Sequence, residues 1–233
     1  MKKIILDSGP IITLALNNNL LWLLESVKNK FDLNFYITKG VKREIVDNPL
    51  TTKKFKFEAL QVLNLIEKKV IQILDEPKIE GDTKTLLELA NSCFKVKDRY
   101  LKLVHFAEIS AIAAAKIHNA DAVMIDERTT RYMLERPHKL KNILSHKLHT
   151  KVDINKKQLS ILKKETKGIK LIRSAEFVAI CFEKGLLDEF LPKVSDPKKT
   201  LLDALLWGVK LNGCAISTRD LETLQRESLK VRK

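Results

Sequence analysis

The chain has 233 residues, of which 43 are Lys or Arg and 29 Asp or Glu, leaving a formal charge of +14 at neutral pH. With 45% hydrophobic and 31% charged residues it is too apolar for a disordered chain and too charged for a membrane bundle. Three scattered cysteines (Cys93, Cys181, Cys214) exclude a disulfide framework and predict a reducing cytoplasm as the compartment. Asp7 interrupts the first apolar run at once, so no signal peptide is expected, and no stretch of about 18 apolar residues could span a membrane. The positive excess points to nucleic acid or, equally, to a solvated lysine-rich surface.

Lys3–Leu6 is a short apolar run closed by Asp7-Ser8-Gly9-Pro10. That punctuation suits a strand, a tight turn and a helix capped by Ser8 or Gly9, with Pro10 in its first turn. Ile11–Val27 carries a helical apolar pattern. Phe35–Ile37 reads as a second strand and Val41–Val46 as a short helix. Thr52–Lys69 reads as a helix with Phe55, Phe57, Leu60, Leu63 and Ile66 on one side. Val70–Leu74 is the third strand, and Asp82 reads as the cap of a helix over Thr83–Asn91. In the helix Ala107–His118, Ala111, Ala113, Ala114 and Ala115 allow close packing on a sheet. Ala122–Ile125 is a fourth strand ending at Asp126. Gly168–Ile172 is a fifth, followed by a helix over Ala175–Lys184. Lys198–Leu211 and Arg219–Lys230 are the last helices, Ser217 and Asp220 forming a capping pair for the second. Helices alternating with short apolar strands predict an α/β fold whose parallel sheet is covered on both faces.

In such a sheet, sites form at the carboxyl ends of the strands. Asp7 follows strand one, Asp126 follows strand four, Glu44 comes shortly after strand two, and Glu108 opens the alanine-rich helix. Four carboxylates converging on one rim repel one another unless a cation neutralises them. Neutralising one, such as Asp126, should therefore raise the melting temperature of the metal-free protein. Mg2+ or Mn2+ is the natural occupant, since both accept carboxylate oxygen and water. Such an ion can polarise a phosphate oxygen and acidify an attacking water. With the basic excess, that chemistry predicts a metal-dependent nuclease.

Four segments carry a resemblance: Ile4-Ile5-Leu6-Asp7-Ser8-Gly9-Pro10, Val41-Lys42-Arg43-Glu44-Ile45-Val46, Phe106 to Ala115 around Glu108, and Val123-Met124-Ile125-Asp126-Glu127-Arg128. In order and approximate spacing they resemble the acidic motifs of the PIN-domain ribonucleases. The resemblance implies a three-layer α/β fold with a central parallel sheet of about five strands flanked by helices. It implies Asp7, Glu44, Glu108 and Asp126 as metal-binding and catalytic acids, with Ser8 as a polar helper. It also implies Mg2+- or Mn2+-dependent endonucleolytic cleavage of RNA, leaving 5′-phosphate and 3′-hydroxyl ends. Two departures stand out. Glu108 occupies a position where many relatives have Asp, and a basic segment separates the fourth acid from the last strand. The expected organisation is a PIN-like domain over 1–190, with 131–168 as a basic helical insertion and 191–233 as a helical extension. Within 131–168, eleven Lys and Arg face three acids, Glu135, Asp153 and Glu165.

Arg128 and Arg131 can contact substrate phosphate or simply pair with acids. Glu127 suits a helix start better than a fifth ligand, and Asp47 a helix end. His146 and His149 share a helical face without completing a zinc set. The expected partner is single-stranded or looped RNA. Leu201, Leu202, Leu205, Leu206 and Val209 could bury a homodimer contact. The alternatives are a non-catalytic RNA-binding module and a toxin nuclease held by an antitoxin, a partner for which the sequence offers no sign.

Overall fold

The protein is described by a computed structural model covering residues 2–16 and 20–232. The chain begins with β1 (Lys2–Leu6), α1 (Ser8–Leu16), α2 (Trp22–Phe31) and β2 (Leu33–Thr38). After α3 (Lys39–Lys42) comes a π-helical stretch, Arg43–Asp47, leading into α4 (Asn48–Leu50), α5 (Lys56–Glu67) and β3 (Ile71–Leu74). Next are α6 (Pro77–Asn91), β4 (Phe94–Val96), β5 (Arg99–Tyr100), α7 (Phe106–His118) and β6 (Ala122–Met124). The basic segment contributes α8 (Arg128–Glu135), α9 (Pro137–Lys147), β7 (Asp153–Ile154) and α10 (Lys156–Glu165). Finally come β8 (Leu171–Ile172), α11 (Ser174–Glu183), α12 (Pro197–Leu211) and α13 (Thr218–Val231).

Five strands form one parallel sheet in the order β3-β2-β1-β6-β8. Ile4 of the central strand registers with Phe35 on one side and Ala122 on the other. Because side chains alternate along a strand, β1 feeds two cores. Ile4 and Leu6 face α1, α2, α5, α11 and the C-terminal helices, while Ile5 faces α6, α7, α9 and α10. The result is the expected three-layer α/β sandwich. Ala111, Ala113, Ala114 and Ala115 are buried on the second face. Among the described residues no helix is long and apolar enough to cross a membrane. The three cysteines are free and buried.

Several local expectations change. The helix read over Ile11–Val27 is interrupted: α1 ends at Leu16, Leu20 N–H donates to Leu14 O at 2.8 Å, and α2 begins at Trp22. Residues 17–19 of that reading lie outside the described residues. The α6 helix starts at Pro77 rather than Thr83, so Asp82 is no cap; Pro at the first helical position starts it earlier. Asp82 instead faces Lys116 at 3.5 Å. The α5 helix buries Ala59, Val62 and Leu65, which leaves Phe57 68% and Leu60 48% exposed. Phe55 precedes that helix in the left-handed region, φ 60°, and is also exposed. A second, antiparallel sheet, β5-β4-β7, had no counterpart in the sequence reading.

Helix α12 buries Leu201, Leu202, Leu206 and Val209 within the chain's own core. The apolar side offered to a dimer contact is thus occupied internally. As the capping pair predicted, Ser217 Oγ accepts from Asp220 N–H at 3.1 Å.

Candidate active site

Strand pairing continues one residue past β1, where Asp7 N–H donates to Met124 O at 3.0 Å. The chain then turns directly into α1, which leaves the Asp7 carboxylate at the carboxyl edge of the sheet and 2% exposed. Its Oδ1 is buried without a hydrogen-bond partner. Burial pushes the Asp7 pKa from 3.8 up to about 7. The Ser8 backbone N–H pulls it down, the charges of Glu108 and Glu44 push it up, and the Gly9 N–H again lowers it. Ser8 itself is buried in the first turn of α1. Gly9 lies between two acids: a Cβ there would sit 3.5 Å from Asp126 Cβ and 3.6 Å from Asp7 Oδ2.

Glu108 sits in the first turn of α7, half-buried. Its Oε2 accepts from Thr130 Oγ1 at 2.8 Å and from His105 N–H at 3.4 Å. Burial raises its pKa and the charge of Glu127 adds to that, while the Thr130 and His105 hydrogen bonds oppose it. Thr130 is a spacer between two acids, since its backbone N–H donates to Glu127 Oε2 at 2.6 Å. Glu127 thereby caps α8, the helix-start role preferred from sequence. Glu44 is exposed on the π-helical stretch, a distortion frequent at functional sites. Asp47 is paired with Lys42.

Asp126 is engaged differently. Its Oδ1 accepts from Ser174 N–H at 2.8 Å and its Oδ2 from Ser174 Oγ at 2.7 Å. Both oxygens of this buried carboxylate are therefore committed to the first residue of α11. The structure thus couples Asp7, Glu44 and Glu108 through their charges and ties Asp126 to Ser174. Among the described residues no three Asp, Glu, His or Cys side chains form a ready-made metal cluster.

The donor chemistry nevertheless fits a hard divalent cation. Carboxylate oxygen is the ligand such ions prefer, the orphaned Asp7 Oδ1 needs a positive partner, and the missing side chain at Gly9 leaves space beside the same carboxylate, next to Oδ2. Asp7 would hold the ion, with Glu44 and Glu108 completing the set. Each Asp126 oxygen accepts one hydrogen bond from Ser174 and keeps a further lone pair, so Asp126 could join while still held by Ser174.

Arg128 is exposed at the start of α8. Arg131 has a 12% exposed side chain and reaches Glu135 at 3.4 Å. Both line a cleft between α8 and α13, on the C-terminal-helix side of Asp126. Arg173 in its floor hydrogen-bonds Glu176 through Nε at 2.8 Å and lies 3.9 Å from Asp220. Burial works to raise the Glu176 pKa, but the Arg173 hydrogen bond and charge, helped by Arg131, hold it below the usual range.

Sequence reasoning missed Ser174 and Thr130. Each follows a strand and opens a helix, a position where hydroxyl side chains cap or bridge. That signal was present in the sequence, but their acidic partners were not legible from it.

A family model for the PIN domain matches residues 3–141, more than half of the chain. The matched stretch contains all four acids and ends within α9. No curated protein and no solved structure matches the chain.

Proposed function

The chain belongs to the PIN-domain family, a nuclease-type fold, and from this we propose that it is an endoribonuclease using Mg2+ or Mn2+ at its carboxylate rim. The observation that carries this reading is the buried, unpartnered oxygen of Asp7, in the field of Glu44 and Glu108. A buried carboxylate with one oxygen lacking a donor and with two acidic neighbours is costly unless a cation or a proton answers it. When bound, a divalent cation supplies charge stabilisation to the phosphate and makes water a stronger acid.

The chain's residues do the rest. Asp7 anchors the site from the end of β1. Thr130 and His105 N–H fix one oxygen of Glu108 and leave the other free to orient the attacking water. Glu44, on an exposed and locally widened turn, can move toward incoming substrate. Asp126 ties β6 to α11 and so keeps the rim in register. In-line attack then leaves 5′-phosphate and 3′-hydroxyl ends.

The test is cleavage of end-labelled single-stranded RNA with Mn2+ or Mg2+. Asp7→Asn and Glu108→Gln should each slow it by at least about 100-fold, the scale at which displaced catalytic groups act. Cleavage that persists in excess chelator, or in Asp7→Asn, overturns the mechanism. The two hydrogen bonds that hold Asp126 to Ser174 favour one second reading, an RNA-binding PIN module without hydrolysis. RNA binding with no cleavage under any divalent ion would select it.

A further inference from the structure

We propose that the cleft between α9 and α10 is a docking track for the phosphodiester backbone of single-stranded RNA, separate from the carboxylate rim; this rests on the RNA reading above. The cleft has a volume of about 390 Å3. His138 and Lys141 line it from α9, and Lys156, Ser160 and Lys163 from α10. Asp153 is the one acid in the lining, and Lys151 faces it at 3.5 Å. Lys141, Lys156 and Lys163 have no ion-pair partner among the described residues.

Lys156, Ser160 and Lys163 recur at i, i+4 and i+7, a single stripe of a helix. The two lysines of that stripe are about 10 Å apart along the axis. That separation exceeds one stacked nucleotide step of about 3.4 Å, so the stripe suits a run of phosphates better than one small ion. Unpaired cations gathered in a concavity repel one another and focus positive potential there, which an entering polyanion relieves. No Phe, Tyr or Trp lines the cleft, so recognition would run through the backbone and tolerate any base sequence.

The track also lies within reach of the rim. Helix α8 leads from Glu127, beside Glu108, to Arg136, which ends α8 and precedes α9. Its eight residues span about 12 Å. Exposed Arg128 stands at the near end, with exposed Arg136 and His138 at the far end. A strand held in the cleft needs only a few nucleotides to reach the acids.

The experiment compares two double variants of equal charge change. Lys156→Gln/Lys163→Gln removes the cleft lysines, while Lys157→Gln/Lys164→Gln removes their neighbours, which do not line it. Binding of a fluorescent single-stranded RNA 20-mer is measured with chelator present, from 50 to 200 mM salt. The cleft variant should bind roughly tenfold to a hundredfold more weakly, and its log–log salt slope should fall by about 1.4, two contacts at about 0.7 each. The neighbour variant should keep the wild-type slope. Equal loss in both variants, or no loss in either, overturns the track. So does a polyglutamate peptide that binds through Lys156 and Lys163 and is not displaced by RNA. Because no metal is present, the outcome separates from catalysis. RNA bound through the cleft but never cleaved sinks the hydrolysis reading alone, and cleavage with an unchanged slope sinks the track alone.

Discussion

Asp7 ties stability to pH in a direction opposite to most carboxylates. Its pKa is 3.8 in the unfolded chain and about 7 when folded, so between those values the folded protein holds a proton that the unfolded chain has released. Stability from this group is greatest below about pH 4 and falls as pH rises toward 7, by about 4 kcal/mol in all. In chelator, urea unfolding should therefore show wild type losing stability between pH 5 and pH 8 relative to Asp7→Asn. Millimolar Mn2+ should restore it to wild type alone, because only ligands that bind the folded form stabilise. A flat difference between the two proteins would remove Asp7 from the buried site. The relief of repulsion expected at Asp126 moves to Asp7. At Asp126 both oxygens accept hydrogen bonds from Ser174. Asp126→Asn can keep the Ser174 N–H bond through its oxygen and donate its amide to Ser174 Oγ, but it exchanges charge-assisted bonds for neutral ones and should lower stability by about 1 kcal/mol. Thermal melts in chelator check this. Gly9 gives a cleaner separation. Its φ is not in the left-handed region and a Cβ meets only ordinary contacts. Gly9→Ala should therefore melt at or above wild type, given its helical position and the ~1 kcal/mol advantage of Ala. The added methyl fills the space between Asp7 and Asp126, so RNA cleavage should drop. Unchanged cleavage would mean that nothing binds there.

Among the elements, α12 and α13 act as part of the core. Leu202, Leu206, Val209 and Leu221 are fully buried with Ala175, Val178 and Phe182 of α11. Arg232 pairs with Asp188 at 2.7 Å and stacks over the Phe182 ring at 4.7 Å. Leu206→Ala should cost about 2–5 kcal/mol, and a chain ending at residue 196 should lose its cooperative unfolding transition. A truncated chain that still melts cooperatively would make these helices a separable extension. How legible an element was follows from its length and the range of its contacts. The apolar runs of β1, β2 and β6 stand out because each is buried on both faces, whereas edge strand β3, with Ile73 37% exposed, shows only as a short apolar run. Strands β5 and β7 have two residues each, too few for periodicity, and β7 pairs with β4 across a long sequence gap. The face of α5 was misread because its aromatic residues lie outside the stripe that packs. The four acids were visible because strand ends are marked by turns, whereas the bond between Asp126 and Ser174 joins residues 48 apart and leaves no local trace.

At the scale of the whole molecule, the basic cleft between α9 and α10 and the acidic rim divide the surface between opposite charges, on a chain of +14. Affinity for RNA should accordingly fall steeply with salt even when Asp7 is neutralised, and filter binding of Asp7→Asn from 50 to 200 mM salt checks it. A salt-independent affinity would argue against a phosphate-led encounter. The sheet order has a consequence for how the molecule is made. Central β1 is synthesised before the other strands of its sheet, and its neighbour β6 lies far along the chain; Lys3 N–H, for example, meets Asp121 at a separation of 118 residues. At about 5–20 residues per second a ribosome needs roughly 6 to 24 s to cover that gap. For that interval the pair β1 and β2 carries an open edge of unpaired backbone groups, with Ile4, Ile5 and Leu6 uncovered on that side. The nascent chain is therefore most prone to stick to its neighbours before residue 124 emerges, and that is the stretch of synthesis in which a chaperone has the most to shield.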